Sequence, residues 1–321
     1  MLTRKFVVKF LVLALVVFSA AMLKAQGAAS LTGTVTDTSG AVIPGASIEL
    51  LSTATNAAYK TTANSSGFYS LGNVKPGEGY KLTVSKDGFK SVAVTDLYLV
   101  VDATRTQNAT LSAGGSTQTV EVSAVGNNVT LNTTDATIGN NIDVKELNQL
   151  PIQDRTSGVT ALFLQQPGVD SNQGAVTGAR ADQTEVMVDG MDVNDIASGQ
   201  TFTIVANAPV DSVEQFNGAV AGLLASLGTG SGAQFQLVTK SGTNRFHGNV
   251  NEYHRDTTTE ANDYFNNLDG VPRTPLIRNQ FGGNIGGPIK RDKLFFFFDL
   301  ADSRIIQSST GEDNEIGRAH V

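Results

Sequence analysis

The chain has 321 residues, with 30 acidic side chains against 23 Lys and Arg, a formal charge of −7 and a pI near 5.0. This balance argues against nucleic acid as a partner, because phosphate binding requires clustered Lys and Arg. Cysteine is absent, which excludes disulfides and thiolate metal sites.

Residues 1–25 have the pattern of a secretory signal peptide. An apolar run of 14 residues, 10–23, follows a basic start. This run is shorter than the roughly 20 residues that a transmembrane helix needs, and small residues come after it. We expect signal cleavage after Ala25 or, alternatively, after Ala21.

Residues 28–113 predict an antiparallel β-sandwich of about seven strands. Short runs rich in Thr, Val and Leu alternate with turn signals. The turn pairs are Ser39-Gly40, Pro44-Gly45, Ser66-Gly67, Pro76-Gly77 and Asp87-Gly88.

Residues 114–119 read as a flexible linker. The run that begins inside it is extended and β-prone, and it consists of Thr119, Val120, Glu121, Val122 and Ser123. Such a run is either the first strand of the next domain or an exposed segment that can add to the sheet of a partner.

Residues 120–243 predict a small α+β domain. A helix-like run begins at Val144 and stops before Pro151, and a later strand enters a tight turn at Asp189 and Gly190, for which we predict a structural role. We expect a small core made by Leu147, Leu150, Leu162 and Leu164.

Residues 244–314 have the alternation of membrane-barrel strands. Phe246, Gly248 and Val250 share one face, whereas His247, Asn249 and Asn251 share the other. A second run alternates in the same way, with Phe281, Gly283, Ile285 and Gly287 on one face and Gln280, Gly282, Asn284 and Gly286 on the other.

The connections between these runs are unequal. A polar stretch of 25 residues, 254–278, separates the first two runs, whereas only residues 288–293 precede a third strand at about 294–304. Bacterial outer-membrane barrels pair long outer loops with short periplasmic turns. A buried strand of a soluble sandwich is the alternative interpretation of a single such run.

Several sequence segments resemble those of the TonB-dependent receptors of Gram-negative bacteria, and within that family those of the Oar-like subgroup. The resemblance rests on VTKSGTNRFHGNV, NQFGGNIGGPIKRDKLFFFFD, EVMVDGMDVND and, in residues 28–113, on GTVTD, IPGASI, GFYSL and KDGFK. It implies a mainly β chain: a carboxypeptidase-regulatory-like β-sandwich, a small α+β plug (residues 120–243, here the plug-like domain), and the first strands of a transmembrane β-barrel.

In the sandwich the resemblance implies structural roles. Gly67 and Gly88 would relieve turn strain, and Phe68, Leu71 and Val84 would fill the core. We expect the sandwich to be a spacer, with a weak glycan or partner site as the alternative.

The resemblance also implies partners and a location. The expected partners are a TonB-type periplasmic coupling protein, outer-membrane lipid and an unidentified extracellular ligand, with the sandwich in the periplasm. Residues 119–123 are the candidate segment for the coupling protein, and the alternative is a segment nearer the mature N-terminus or elsewhere in the chain. Family members often carry a Phe-Gly-Arg-like triplet near residues 225–229, whereas this chain has no basic residue there.

No catalytic, cofactor or metal site is predicted. Asp189, Asp192 and Asp195 lack the calcium-loop pattern, and His247 and His254 lack a zinc-binding motif. Gly228, Gly230 and Gly232 lack the strand-to-helix context of a nucleotide loop.

The expected function is therefore TonB-energised uptake of a scarce, bulky solute through a plugged barrel, with no enzymatic activity. We expect the chain to be an N-terminal fragment with an incomplete barrel, and residues 315–321 to be a sequencing artefact. The alternatives are an adhesin-like protein built of sandwich modules and an accessory module of a secreted hydrolase.

Overall fold

The computed structural model describes residues 27–114, 119–123, 136–150, 152, 155, 160–170, 175–195, 208–223, 230–262, 264–273 and 275–307. Strands dominate these residues and form four sheets, which confirms the mainly β fold. The helices are short: α1 Val144–Leu147, α2 Thr160–Phe163 and α3 Tyr264–Leu268. In the described part of the chain, no helix has the length and apolarity needed to cross a membrane.

The N-terminal region is a two-sheet sandwich. Its strands are β1 Ala29–Asp37, β2 Ser47–Ser52, β3 Ala58–Thr62, β4 Phe68–Val74, β5 Gly77–Ser85, β6 Ser91–Leu99, β7 Thr104–Thr106 and β8 Ala109–Leu111. One sheet joins β4, β1, β7 and β8, and the other has the order β3-β2-β5-β6 followed by β9 Thr119–Ser123. Apolar side chains of both sheets are buried between them, among them Leu31, Ile48, Leu82, Leu97 and Leu111.

The sandwich departs from the sequence prediction in three respects. It has eight strands before β9 instead of about seven, and β1 pairs in parallel with β7 and β8. The prediction that Phe68 fills the core is wrong, because its side chain is 43% exposed whereas Tyr69 is buried. Successive strand residues point to opposite faces, so the burial of Leu71 places Tyr69 inside and Phe68 outside. Leu71 and Val84 are buried as predicted.

The plug-like domain contains a five-stranded sheet of order β10-β13-β14-β11-β12. Its strands are β10 Ile138–Asp143, β11 Thr184–Val188, β12 Met191–Asp192, β13 Val213–Ala221 and β14 Ala233–Thr239. Phe163 stacks on Phe235 with 4.5 Å between ring centroids. Leu147 and Leu162 are buried and Leu150 packs against the same core, but the prediction for Leu164 is wrong, because Leu164 follows the end of α2 and is 47% exposed.

A three-stranded antiparallel sheet ends the described chain, and it is called the C-terminal sheet below. Its strands are β15 His247–Asp256, β16 Leu276–Lys290 and β17 Leu294–Gln307, in the order β15-β16-β17. The long connection between β15 and β16 carries α3, whereas only residues 291–293 join β16 to β17. The predicted long and short connections are both present, and β16 and β17 are longer than predicted.

Candidate functional site

A buried ion pair lies where the plug-like domain meets the C-terminal sheet. The guanidinium of Arg155 donates to Asp211 Oδ1 from Nη2 at 2.6 Å and from Nε at 3.1 Å. The two side chains are only 7% and 14% exposed. Burying either charge alone would cost several kcal/mol, so each group depends on its partner.

Polar groups of the C-terminal sheet complete this network. Asn251 Nδ2 donates to Asp211 Oδ2 at 2.7 Å, and the backbone N–H of Arg155 donates to Gln280 Oε1 at 3.0 Å. The guanidinium also lies 5.4 Å from the ring centroid of Tyr253. Tyr253 is the register partner of Gln280, and Asn251 shares its strand face, so one face of the sheet supplies all three groups.

Part of the opposite face of the C-terminal sheet is apolar and exposed. Val250 is 92% exposed, and Phe281 and Ile285 are also exposed. Gln280, which neighbours Phe281, is 3% exposed. The alternation predicted from the sequence therefore has a physical meaning: the polar face contacts the plug-like domain and the apolar face points away from it.

Two amide side chains of β13 attach the plug-like domain to the sandwich. Gln215 Nε2 donates to the Leu99 carbonyl at 2.8 Å, and its Oε1 accepts from the Val101 N–H at 3.0 Å. Asn217 Nδ2 donates to the Val101 carbonyl at 3.0 Å. Gln215 is 1% exposed, so these bonds satisfy buried polar groups whose loss would be costly.

The sandwich also contacts the turn between β16 and β17. Asp292 Oδ1 accepts from Asn56 Nδ2 and from Asn244 Nδ2, each at 2.7 Å. The Asp292 N–H donates to Asn244 Oδ1 at 2.8 Å, and the Asn244 N–H donates to the Ala54 carbonyl at 2.9 Å. The sandwich is thus bonded to both of the other units.

A cavity of about 190 Å³ lies at this three-way junction. Lys75, Asp189, Lys240 and Phe296 are among the residues that line it. Burial lowers the pKa of the Lys75 ammonium, which donates to Ser241 Oγ, and burial raises the pKa of the neighbouring Glu214.

The segment Thr119–Ser123 forms β9. It pairs in parallel with β6, and the register joins Ser91 to Thr119 and Thr95 to Ser123. The strand therefore extends the sheet of the sandwich at its edge.

Asp189 and Gly190 form the turn between β11 and β12. Both have positive φ values, 51° and 78°. The carboxylate of Asp189 accepts from the Thr239 N–H at 2.9 Å and from Thr239 Oγ1 at 2.7 Å. The turn is thereby tied to the end of β14.

The ion pair at the contact between the plug-like domain and the C-terminal sheet, here called the plug contact, was not predicted from the sequence. Arg155 and Asp211 lie 56 positions apart, and nothing in the local pattern of either indicates the pairing. A signal existed for Asn251 and Gln280, since both lie on the predicted polar faces. Among the described residues, no group of three or more His, Asp or Glu side chains could hold a metal ion. Residues 1–25, which the sequence predicts to be a signal peptide, lie outside the described residues, as do residues 225–229 and 315–321.

Two protein families match parts of the chain. Residues 30–112 match the carboxypeptidase regulatory-like domain, and residues 238–315 match the outer membrane beta barrel domain. The first match covers the sandwich, and the second begins at the end of β14 and includes the C-terminal sheet.

Comparison with individual proteins gives a homologue and weaker structural likenesses. The chain is homologous to the TonB-dependent transporter Oar of Myxococcus xanthus, with 27% identity over 274 residues, which are 81% of this chain and 25% of that protein. The chain thus spans about a quarter of the length of this relative. The siderophore receptor PirA from Acinetobacter baumannii superposes with a TM-score of 0.39 and 19% identity, over 53% of this chain and 24% of PirA. Hydroxyquinol 1,2-dioxygenase from Pseudomonas putida DLL-E4 superposes with a TM-score of 0.24 and 10% identity, over 29% of this chain and 58% of the dioxygenase.

Proposed function

From its homology to the TonB-dependent transporter Oar, we propose that this chain belongs to an outer-membrane transporter that takes up a bulky solute with energy delivered by TonB. The plug-like domain would occupy the barrel that begins with the C-terminal sheet. The sandwich would lie in the periplasm, and residues 1–25 would direct export.

The contact between the plug-like domain and the polar face of the C-terminal sheet carries this proposal. Asn251 and Gln280 bond to Asp211 and Arg155, while Val250 on the other face is 92% exposed. A barrel strand must be apolar toward lipid and polar toward a plugged lumen. An adhesin built of separate sandwich modules would not require a sheet with one polar face against a plug and one exposed apolar face.

The chemistry of the contact suits a plug that moves. Hydrogen bonds between amides, a carboxylate and a backbone N–H can be exchanged for bonds to water, so displacement would not expose a large apolar surface. The position of β10 in the sheet favours such a movement, because among the described residues β10 is bonded only to β13. A pull on the preceding chain would reach β10 before the inner strands.

We propose residues 119–123 as the segment that binds the coupling protein. They are extended and lie at a sheet edge, as strand addition requires. A force applied there would act on the plug-like domain through the chain that follows.

The test uses the longest natural protein that contains this chain, expressed with its own TonB-type coupling protein. Val120→Pro removes a backbone donor from the segment, whereas the matched variant Val120→Thr keeps both the donor and the β propensity. We expect Val120→Pro to weaken binding of the purified coupling domain by at least about tenfold, with Val120→Thr close to wild type and both variants in the outer-membrane fraction.

Two results would contradict the proposal in different ways. Equal binding by both variants would remove residues 119–123 from the contact. A wild-type protein that is absent from the outer membrane, or that binds no coupling domain, would overturn the transporter function itself.

A further inference from the structure

Three pairwise contacts join the sandwich, the plug-like domain and the C-terminal sheet into a closed ring. Asp211 joins the plug-like domain to the sheet, Gln215 joins it to the sandwich, and Asp292 joins the sandwich to the turn between β16 and β17. In a ring of rigid units, two units cannot separate while the third keeps both of its contacts. Displacement of the plug-like domain from the sheet therefore also requires the sandwich to release one of them.

The contact between the sandwich and the plug-like domain is shielded from water. Gln215 is 1% exposed, and its bonds to the Leu99 carbonyl and the Val101 N–H are both buried. Opening this contact would begin with buried polar groups that have lost their partners before water reaches them, which is costly. Lys75 of the sandwich adds to the same side, because it donates to Ser241 Oγ at the end of the plug-like domain.

The contact between the sandwich and the turn is open to water. Asn56 and Asp292, which bond to each other, are both exposed, and so is Ala54, whose carbonyl accepts from the Asn244 N–H. Water can replace each of these bonds as it breaks, so separation here leaves no polar group without a partner. Of the two contacts of the sandwich, we expect this one to open first.

The sandwich holds the plug-like domain at an inner strand. Gln215 and Asn217 both lie on β13, which pairs with β10 on one side and with β14 on the other. Loss of the pairing between β10 and β13 would therefore not detach the sandwich from the rest of the sheet.

We propose that the sandwich is a clamp on the plug-like domain. At rest it holds this domain against the C-terminal sheet, and during displacement it releases the turn at Asp292 and moves together with the plug-like domain. The sandwich is then a moving part of the transporter instead of a spacer. This inference rests on the proposed function, because the displacement that the clamp regulates is the step that TonB would energise.

A cross-link between the sandwich and the turn tests the clamp. Asn56→Cys and Asp292→Cys are introduced into the longest natural protein that contains this chain, in cells that carry its coupling protein. A short bismaleimide joins them after folding, in the presence of a protonophore that is then washed out. The matched control is Glu49→Cys with Lys60→Cys, which replaces an exposed ion pair of 2.9 Å inside the sandwich. The chain has no cysteine of its own.

A third cysteine, Ser303→Cys, is present in every variant and reports displacement of the plug-like domain. Ser303 is the register partner of Gln280, so its side chain lies on the face that contacts the plug-like domain. Its Oγ is buried and has no hydrogen-bond partner in the described structure, so the substitution removes no bond. The rate of labelling by an impermeant fluorescent maleimide is then measured in energised cells and in cells with the protonophore.

We expect the protein without a cross-link to be labelled faster in energised cells than in cells with the protonophore. The cross-link between positions 56 and 292 should abolish this energy-dependent labelling, because the clamp can no longer release the turn. The cross-link between positions 49 and 60 should leave it unchanged. Each variant without bismaleimide controls for folding, because it carries the same substitutions.

Three results would overturn the inference. Energy-dependent labelling that persists with positions 56 and 292 joined would mean that the plug-like domain leaves without the sandwich, and the proposed function would still stand. Loss of labelling with either cross-link would mean that release of the turn is not the step that was blocked. Absence of energy-dependent labelling in the protein without a cross-link would overturn the proposed function, and the inference with it.

Discussion

At the scale of single residues, the plug contact depends on Arg155 and Asp211. Two charges removed from water are tolerated because each meets the other and because neutral amides satisfy the remaining hydrogen-bonding positions. Removal of one partner leaves the other buried without compensation.

We expect Asp211→Ala to destabilise the protein by about 3–5 kcal/mol, since Arg155 loses its carboxylate and Asn251 loses its acceptor. Denaturant unfolding in detergent measures the change. The matched control is Asp182→Ala, which removes the exposed ion pair with Arg180 and should cause no measurable change. Equal effects of the two variants would contradict the role of the buried pair.

Asp102 predicts a pH dependence of stability. Burial raises the pKa of this carboxyl from 3.8 to about 6, and its Oδ2 is buried with no hydrogen-bond partner in the described structure. The folded state therefore binds more protons than the unfolded state between these two pH values, so the free energy of unfolding falls as pH rises through this window.

We expect Asp102→Asn to stabilise the protein by roughly 1–3 kcal/mol at pH 7 and to have little effect below about pH 3, where wild type is protonated in both states. Asn also tolerates the positive φ of 54° at this position. Denaturation at both pH values measures the difference, and the same gain at each pH would exclude Asp102 as the titrating group.

At the scale of elements, close backbone approach sets the pairing of β10 with β13. A Cβ on Gly139 would lie 1.8 Å from the Gly218 carbonyl oxygen, so only glycine permits this register. Within the described part of the chain β10 lies at one edge of the plug-like sheet, so we expect its pairing to be the first that a pull from the N-terminal side breaks.

We expect Gly139→Ala to push β10 away from β13 and to cost about 1–3 kcal/mol of local stability. Hydrogen exchange of amides 138–143 should accelerate, while exchange in β14 stays unchanged. Gly72→Ala is the control, because a Cβ there meets nothing within 4 Å. Unchanged exchange in β10 would show that the strand can shift without losing its bonds.

At the scale of the whole molecule, the three units are bonded to one another. Gln215 and Asn217 join the plug-like domain to the sandwich, Asp292 joins the sandwich to the C-terminal sheet, and Asp211 closes the contact between that sheet and the plug-like domain. A sandwich held at two places has a defined position relative to the other two units.

We expect Asn56→Cys combined with Asp292→Cys to be joined efficiently by a short bismaleimide cross-linker, because their native side chains are 2.7 Å apart. The protein is then cleaved between the two positions and run on a denaturing gel. Cross-linked protein migrates as one species, whereas protein without the cross-link separates into fragments. The single-cysteine variants control for links between molecules. A cross-linking yield no greater than that of the single-cysteine variants would contradict the docked position of the sandwich.

Local patterns predicted the strand-rich regions because their signals are local. Turn pairs such as Ser66-Gly67 marked the sandwich, and the alternation around Val250 and Gln280 marked the two faces of the C-terminal sheet. The prediction for Phe68 failed because it placed Phe68 and Leu71 in the same core, whereas strand alternation puts Tyr69 on the buried face with Leu71. The pairing of Arg155 with Asp211 could not be predicted, because the two residues are 56 positions apart and the sequence next to each does not indicate its partner.

The amino-acid sequence by itself determined the order of the units, the mainly β composition and the polarity of each strand face, since hydrophobic periodicity and turn residues act over a few positions. Only the tertiary structure decided which polar groups meet across units and that Thr119–Ser123 lies on the edge of the sandwich. Those contacts join residues remote in sequence, and they depend on the packing of whole sheets, which no local pattern specifies.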